Sequence, residues 1–65
     1  MSQGNPTDHE IDVYATEYVL NNDQTAAWRK AYPDSKASDG VVWTKASLMH
    51  KRDKVQKRIR EKQER

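Results

Sequence analysis

The chain contains no cysteine and no phenylalanine among its 65 residues, and only two glycines and two prolines. The lack of cysteine excludes a disulfide framework, a thiolate metal site and a thiol nucleophile. The lack of phenylalanine, with only 34% hydrophobic residues, means that the core has to be small. A chain this short buries only about 60% of its unfolded surface, so helix packing, oligomerisation or a larger parent protein has to stabilise it.

Long apolar runs are also missing. No stretch approaches the roughly 20 apolar residues that a membrane-spanning helix needs. The first residues have neither a basic start nor an apolar centre, so they do not resemble a secretory signal. We therefore expect a soluble intracellular protein of at most one domain, without a membrane partner.

Residue patterns that carry common chemistry are absent as well. With Gly4 and Gly40 as the only glycines, there is no glycine-rich phosphate loop. His9 and His50 have no metal-ligand spacing and are expected to be lone surface histidines. The carboxylates of residues 8–17 belong to a solvated helix face, and serines and threonines fall at cap positions. We expect no catalytic site, no metal and no cofactor, so the chain is not predicted to be an enzyme.

Charge is distributed unevenly along the chain. Residues 1–22 carry four acids and no lysine or arginine, whereas residues 46–65 carry eight cations and three acids, a net charge of +5. Helical pairs such as Asp53 and Lys57, four residues apart, account for part of this pattern on a solvated face. The excess of cations over pairing partners indicates a polyanionic partner for the basic end.

The first helix is indicated by a cap and an apolar stripe. Thr7 and Glu10 have the spacing of a capping box, with Asp8 as the alternative cap. Apolar residues then recur with a period of about 3.6 residues, which favours a helix over a strand. The stripe comprises Ile11, Tyr14, Ala15, Tyr18 and Val19.

The second helix has firm signals at both ends. Asn22 or Asp23 caps its start, and Pro33 ends it after Tyr32 because proline disfavours helical geometry in the residue before it. Its small residues allow another helix to approach closely, so we expect the first helix to pack against them, with Trp28 covering one edge of the core. These small residues are Ala26, Ala27 and Ala31.

The third helix is predicted from about Asp39 to Lys51, with Ser38 as its cap and Ser35 as the alternative. Two apolar sets compete for its buried face, and spacing alone leaves the choice open. One set is Val41, Trp43, Thr44 and Leu48; the other is Val42, Ala46 and Met49.

A fourth helix is predicted to begin with a cap at Asp53 and Gln56 at the third position. Its only apolar residues are Val55 and Ile59, so nothing is expected to hold the chain beyond about residue 60. The predicted organisation is a disordered segment at 1–7, a domain at 8–60 and a frayed, charged helix end at 61–65. The fold is predicted to be all-α, a bundle of three to four helices containing a helix-turn-helix.

Three motifs occur in a familiar order. The first motif, from Tyr14 to Val19, is an aromatic residue followed by Glu-Tyr-apolar. The second is the asparagine-capped second helix, which carries Ala-Ala, Arg and a final Tyr. In the third, Leu48-Met49 is followed by a short basic break, by Lys54-Val55 and by an apolar residue four positions after Val55. In this order the chain resembles, over about residues 8–60, the N-terminal DNA-binding domain of small terminase subunits of tailed bacteriophages. It departs from that pattern at Pro33 and in a longer turn after it.

The resemblance implies a helix-turn-helix that recognises viral packaging-site DNA in the cytoplasm of an infected or lysogenic bacterium. It also implies a partner, the large terminase subunit, which holds the ATPase and nuclease and is recruited by the full-length protein. Family members usually assemble as rings through a central domain that follows the DNA-binding domain, so these 65 residues are expected to be a fragment or an isolated domain. The isolated domain is therefore expected to be a monomer and the full-length protein a ring.

Helix-turn-helix docking predicts two groups of DNA-binding residues, because it places the second helix of the motif in the major groove. Candidates for base edges are Thr44, Lys45 and Ser47. Candidates for phosphates are Arg29, Lys30, Lys36, Lys51, Arg52 and Lys54, with Lys57 and Arg58 farther along the basic helix.

Two other functions compete with this interpretation. The first is a protein-interaction module that docks a partner on a surface at Trp28 or Trp43, with the basic tail only solvating it. The second is a helix-turn-helix transcriptional regulator, which needs a dimer interface. The apolar stripes leave no spare face for such an interface.

Overall fold

The computed structural model describes residues 6–64, and this part of the chain is all-α with no strand. The predicted all-α bundle is therefore confirmed. Most of the segment predicted to be disordered, residues 1–7, lies outside the described residues. The helices are α1 (Asp8–Asn21), α2 (Gln24–Ala31), α3 (Asp39–His50) and α4 (Asp53–Gln63).

The start of α1 and the α1–α2 junction follow the local sequence signals. The Glu10 amide donates to the Thr7 hydroxyl at 3.1 Å and the Thr7 amide donates to the Glu10 carboxylate at 3.0 Å, which confirms the capping box. Asn22 ends α1 in the left-handed region, with φ of 56°, where asparagine is tolerated better than most residues. The Asp23 carboxylate then accepts two amides of the first turn of α2, so Asp23 is the N-cap.

Packing places α1 between α2 and α4, while α3 packs on α2 and makes little contact with α4. α1 packs on α2, and Ala27 is completely buried in the core with Ile11 of α1, as predicted, whereas Ala26 is partly exposed. Trp28 is also buried, and its ring lies 4.6 Å from that of Tyr32. The core comprises Ile11, Tyr14, Ala15, Ala27, Trp28, Val42, Ala46, Met49, Val55 and Ile59.

The two candidate faces of α3 are resolved by this packing. Val42, Ala46 and Met49 are buried, at i, i+4 and i+7. The competing apolar residues remain in solvent, with exposed fractions of 45% for Val41, 60% for Trp43 and 62% for Leu48. One stripe of α3 therefore meets α2, and apolar residues on its other sides are left uncovered. The expectation that the apolar stripes leave no spare face is wrong for α3, because only one of its two apolar sets can meet α2.

The start of α4 differs from the prediction. Arg52 is its N-cap, Asp53 is already in the first turn, and no side chain caps the helix. The Gln56 side-chain amide instead donates to the backbone carbonyl of His50, in the last turn of α3. The predicted cap was wrong because Gln56 satisfies a carbonyl at the end of α3, one of the groups that a helix cannot satisfy internally.

The end of α4 is held more firmly than the sequence indicated. The expectation that nothing holds the chain past about residue 60 is wrong, because Lys62 Nζ lies 3.0 Å from Asp12 Oδ1 on α1. Arg58 contacts the same carboxylate oxygen at 3.0 Å and also lies 3.6 Å from Glu61. The hydrogen bond from Lys62, with its charge and the hydrogen bond and charge of Arg58, outweighs the effect of burial and lowers the pKa of Asp12.

Candidate nucleic-acid interface

The outer face of α3 is its solvent-exposed side. At about 3.6 residues per turn, Thr44 and Lys51 fall opposite the buried stripe, and Val41, Lys45 and Leu48 lie beside it. The one acidic residue of α3, Asp39, is paired with Arg29, so this face carries cations and apolar groups without a free carboxylate. The outer face comprises Val41, Thr44, Lys45, Leu48 and Lys51, and all five are exposed.

Arg29, predicted to contact phosphate, joins α2 to the start of α3. Its guanidinium lies 2.5 Å from Asp39 Oδ1 and also donates to the Ala37 carbonyl at 3.5 Å. Since the guanidinium already has two partners within the chain, its first role is to fix α3 against α2. Its side chain is 41% exposed, so one edge still reaches solvent.

Ser47 was predicted to point outward, but its side chain faces α2. Its hydroxyl accepts a hydrogen bond from the Gln24 side-chain amide at 2.8 Å and is partly buried. Thr44 is exposed, as predicted, although its hydroxyl donates to the Gly40 carbonyl at 3.2 Å. The Thr44 hydroxyl can therefore accept, but not donate, a further hydrogen bond while that contact is kept.

Four predicted DNA-binding lysines stand in solvent around α2 and α3. In residues 6–64 these side chains have no ion-pair or hydrogen-bond partner. The connection between the two helices covers residues 32–38, which is longer than the usual turn of about 3–4 residues in this motif. The four exposed lysines are Lys30, Lys36, Lys45 and Lys51.

The predicted residues of α4 form a separate group, because α4 packs mainly on α1. Lys54 and Lys57 are exposed and border a shallow hollow together with Asp8 and Glu61. Arg58 is held by Asp12, which makes it a brace between α4 and α1. The structure does not bring this group onto the outer face of α3.

An open groove of about 880 Å³ lies between α2, α3 and the first cap. Trp28, Leu48 and Met49 line it, with the cations of Lys45 and Arg52 beside them. Arg52, the remaining predicted phosphate contact, is exposed. The groove joins the outer face of α3 through its shared residues Lys45 and Leu48.

Tyr32 closes the α2 side of this groove. Its hydroxyl donates to the Glu10 carboxylate at 3.0 Å, linking the end of α2 to the start of α1. Burial, and then the hydrogen bond to Glu10, raises the pKa of Tyr32 to about 12. The phenol is therefore neutral at neutral pH and acts as a fixed hydrogen-bond donor.

His50 belongs to an aromatic cluster that the sequence did not indicate. The Tyr14 hydroxyl lies 2.9 Å from His50 Nδ1, and the Tyr18 ring lies 4.7 Å from the imidazole. Burial raises the pKa of Tyr14 and lowers that of His50, so a neutral phenol and a neutral imidazole share this hydrogen bond. His9 is exposed, as predicted, but the prediction of a lone surface residue is wrong for His50.

We expect stability to fall in mild acid because His50 has to become charged inside this cluster. A histidine with a lowered folded pKa binds fewer protons than the unfolded chain, so its contribution is complete above about pH 6.5 and is lost as the pH falls toward the folded pKa. Urea unfolding midpoints at several pH values between about 7.5 and 5 should show this loss. His50→Gln should flatten the curve and His9→Gln should leave it unchanged; an equal change in both variants would contradict the assignment.

No family model, curated protein or solved structure matches the chain. Among residues 6–64, no group of three or more histidine, aspartate or glutamate side chains is placed to hold a metal ion. In the same part of the chain, no helix has the length and apolar character needed to cross a membrane. Function therefore has to be inferred from the chain's own geometry and charge.

Proposed function

We propose that this chain is a duplex DNA-binding domain of helix-turn-helix type, with α3 entering the major groove. The observation that carries the proposal is the outer face of α3. It is exposed to solvent, and Lys45 and Lys51 on it have no partner within residues 6–64. The helix's single carboxylate, Asp39, is paired with Arg29. An exposed helix face with cations and without free acids suits a polyanion.

The proposed roles of individual residues follow their placement. Lys45 and Thr44 are assigned to base edges, because they lie on the outer face of α3. Arg29 and Ser47 set the position of α3 against α2, and Arg58 braces α4. The exposed cations assigned to phosphates are Lys30, Lys36, Lys51, Arg52 and Lys54, with Lys57 beyond them on α4.

We further propose that the domain belongs to a small terminase subunit. Support comes from the order of the three sequence motifs, which fall on α1, on α2 and across α3 and α4. In that setting the domain binds viral packaging-site DNA in the cytoplasm of an infected or lysogenic bacterium. The full-length protein forms a ring and recruits the large terminase subunit. A large terminase gene directly downstream of the coding gene is the expected observation, and an unrelated neighbourhood would count against the family.

DNA binding is tested by comparing two lysines with different proposed roles. Lys45→Ala should cost about 1–3 kcal/mol on a selected duplex and little on random DNA, because it removes a base contact. Lys54→Ala should weaken both duplexes alike and lower the salt slope by about 1, because it removes a phosphate contact. Fluorescence anisotropy across a salt series measures both quantities.

Arg60→Ala provides the matched control for these substitutions. It removes the same charge from an exposed position of α4 that has no assigned contact. Its effect should therefore be smaller than that of Lys54→Ala. Equal effects of all three substitutions would show that only net charge matters, and absence of binding at low salt would reject the proposed function.

A protein-interaction module remains the second candidate, supported by one observation. Trp43 is 60% exposed, whereas Trp28 is 7% exposed and cannot serve as a docking residue. Large exposed aromatic side chains are enriched at protein interfaces. Failure to bind duplex DNA at low salt would favour this candidate. A transcriptional regulator would instead require a stable dimer, which sedimentation of the isolated chain detects.

A further inference from the structure

The outer face of α3 contains two branched apolar side chains among its polar ones. Val41 and Leu48 are 45% and 62% exposed, and they lie seven residues apart on the same side of the helix. Seven residues correspond to about 10 Å along a helix axis. Single exposed apolar residues are ordinary on protein surfaces. Here two of them lie along one line of the helix surface, so the side chains around them indicate what kind of partner the pair can contact.

The surroundings of this pair are cationic. By helical position, Lys45 lies on one side of the line from Val41 to Leu48 and Lys51 lies on the other. The Thr44 methyl group lies between Val41 and Leu48 along the helix axis. Asp39, the one acid of α3, is held by Arg29. An apolar protein partner would gain nothing from two flanking lysines without carboxylates nearby. A partner that presents acceptor or anionic groups on both sides of apolar points fits this arrangement, with Lys45 able to meet an acceptor on a base edge and Lys51 a phosphate.

The major groove of DNA offers that combination. Phosphates line both of its edges, and the C5-methyl group of each thymine projects into it as an apolar point. We propose that Val41 and Leu48 select DNA by packing on the thymine methyl groups of different base pairs. This inference rests on the proposed DNA-binding function and adds the chemical feature that is read.

The test uses duplexes that differ only in this methyl group. Wild-type protein is titrated into alternating A·T duplexes of about 20 base pairs, two helical turns, and into the same duplexes with uracil in place of thymine. Each methyl group covered should tighten binding about fourfold, the value of one buried methylene-sized group. Leu48→Ala should bind the thymine duplex more weakly and lose most of the preference for it. Val41→Ala should lose part of it.

Two controls separate the methyl contact from other causes. Leu20→Ala removes a 71% exposed leucine from α1 and should leave both affinities unchanged. Lys54→Ala should weaken both duplexes and preserve their ratio. Circular dichroism of each variant checks that the helices are intact, as expected for exposed positions.

The outcomes distinguish this inference from the function on which it depends. Equal binding of thymine and uracil duplexes by the wild-type chain would overturn the inference while leaving DNA binding in place. A preference that persists in both Leu48→Ala and Val41→Ala would assign it to DNA shape and would also overturn the inference. No binding to any duplex at low salt would reject the inference and the proposed function together.

Discussion

Replacing Trp28 with alanine is expected to remove most or all of the stability of this domain. Trp28 is 7% exposed, stands beside Tyr32 and belongs to the single core shared by the four helices of residues 6–64. Truncating a buried tryptophan costs about 3–5 kcal/mol, because packing contacts are lost and a cavity remains. A domain of 65 residues has a total stability of about 3–10 kcal/mol. The free energy lost is therefore comparable to the free energy available.

The chain contains its own control for this prediction. Trp43→Ala is the same chemical change at a 60% exposed position of α3, where the effect should stay within about 0.5 kcal/mol. Thermal unfolding followed by far-ultraviolet circular dichroism compares the two variants with the wild-type chain. Similar losses in both variants would show that the difference in burial between the tryptophans does not control stability.

Ile59→Ala is expected to have the second largest effect, about 2–5 kcal/mol, through the docking of α4. Ile59 is 6% exposed and, with Val55, forms the apolar side of that helix. Ile59→Val, which keeps most of the side chain, should cost only about 0.5–1.5 kcal/mol. Urea unfolding of the two variants measures this graded loss.

The ion pairs of α4 are expected to matter less than this single isoleucine. The Lys62 and Asp12 side chains are 29% and 46% exposed, and exposed pairs contribute about 0.2–1 kcal/mol each. Hydrogen exchange then shows whether α4 unfolds with the rest of the bundle. If Ile59→Ala exposes the amides of α4 and leaves α1 and α2 as protected as before, α4 is an independent unit and the predicted global loss is wrong.

Signals that involve near neighbours in the sequence were predictive. The spacing of Thr7 and Glu10 identified the start of α1, and the apolar repeat that follows identified its buried face. Asp23 and Pro33 bounded α2 for equally local reasons, since one caps amides of the first turn and the other cannot continue a helix. Such effects act within a turn or two of the chain, so the sequence contains all the information that they require.

The candidate interface was predictable only in outline. The number of cations and their position near α3 and α4 could be read from the sequence, but not which of them already had partners. Arg29 is paired with Asp39 across the α2–α3 connection, and Ser47 with Gln24 on another helix. The sequence does not distinguish a cation exposed at the surface from a cation that joins two helices. Only the neighbouring side chains in the folded structure distinguish them.

The sequence by itself determined the helices, the side-chain caps of α1 and α2 and the basic character of the second half of the chain. Only the tertiary structure decided which side of α3 faces solvent, because two apolar sets with equal helical spacing were available and just one could meet α2. It also decided that His50 lies against Tyr14, 36 residues earlier, and that Arg58 reaches Asp12, 46 residues earlier. Contacts over such distances depend on how whole helices pack together, which no local spacing records.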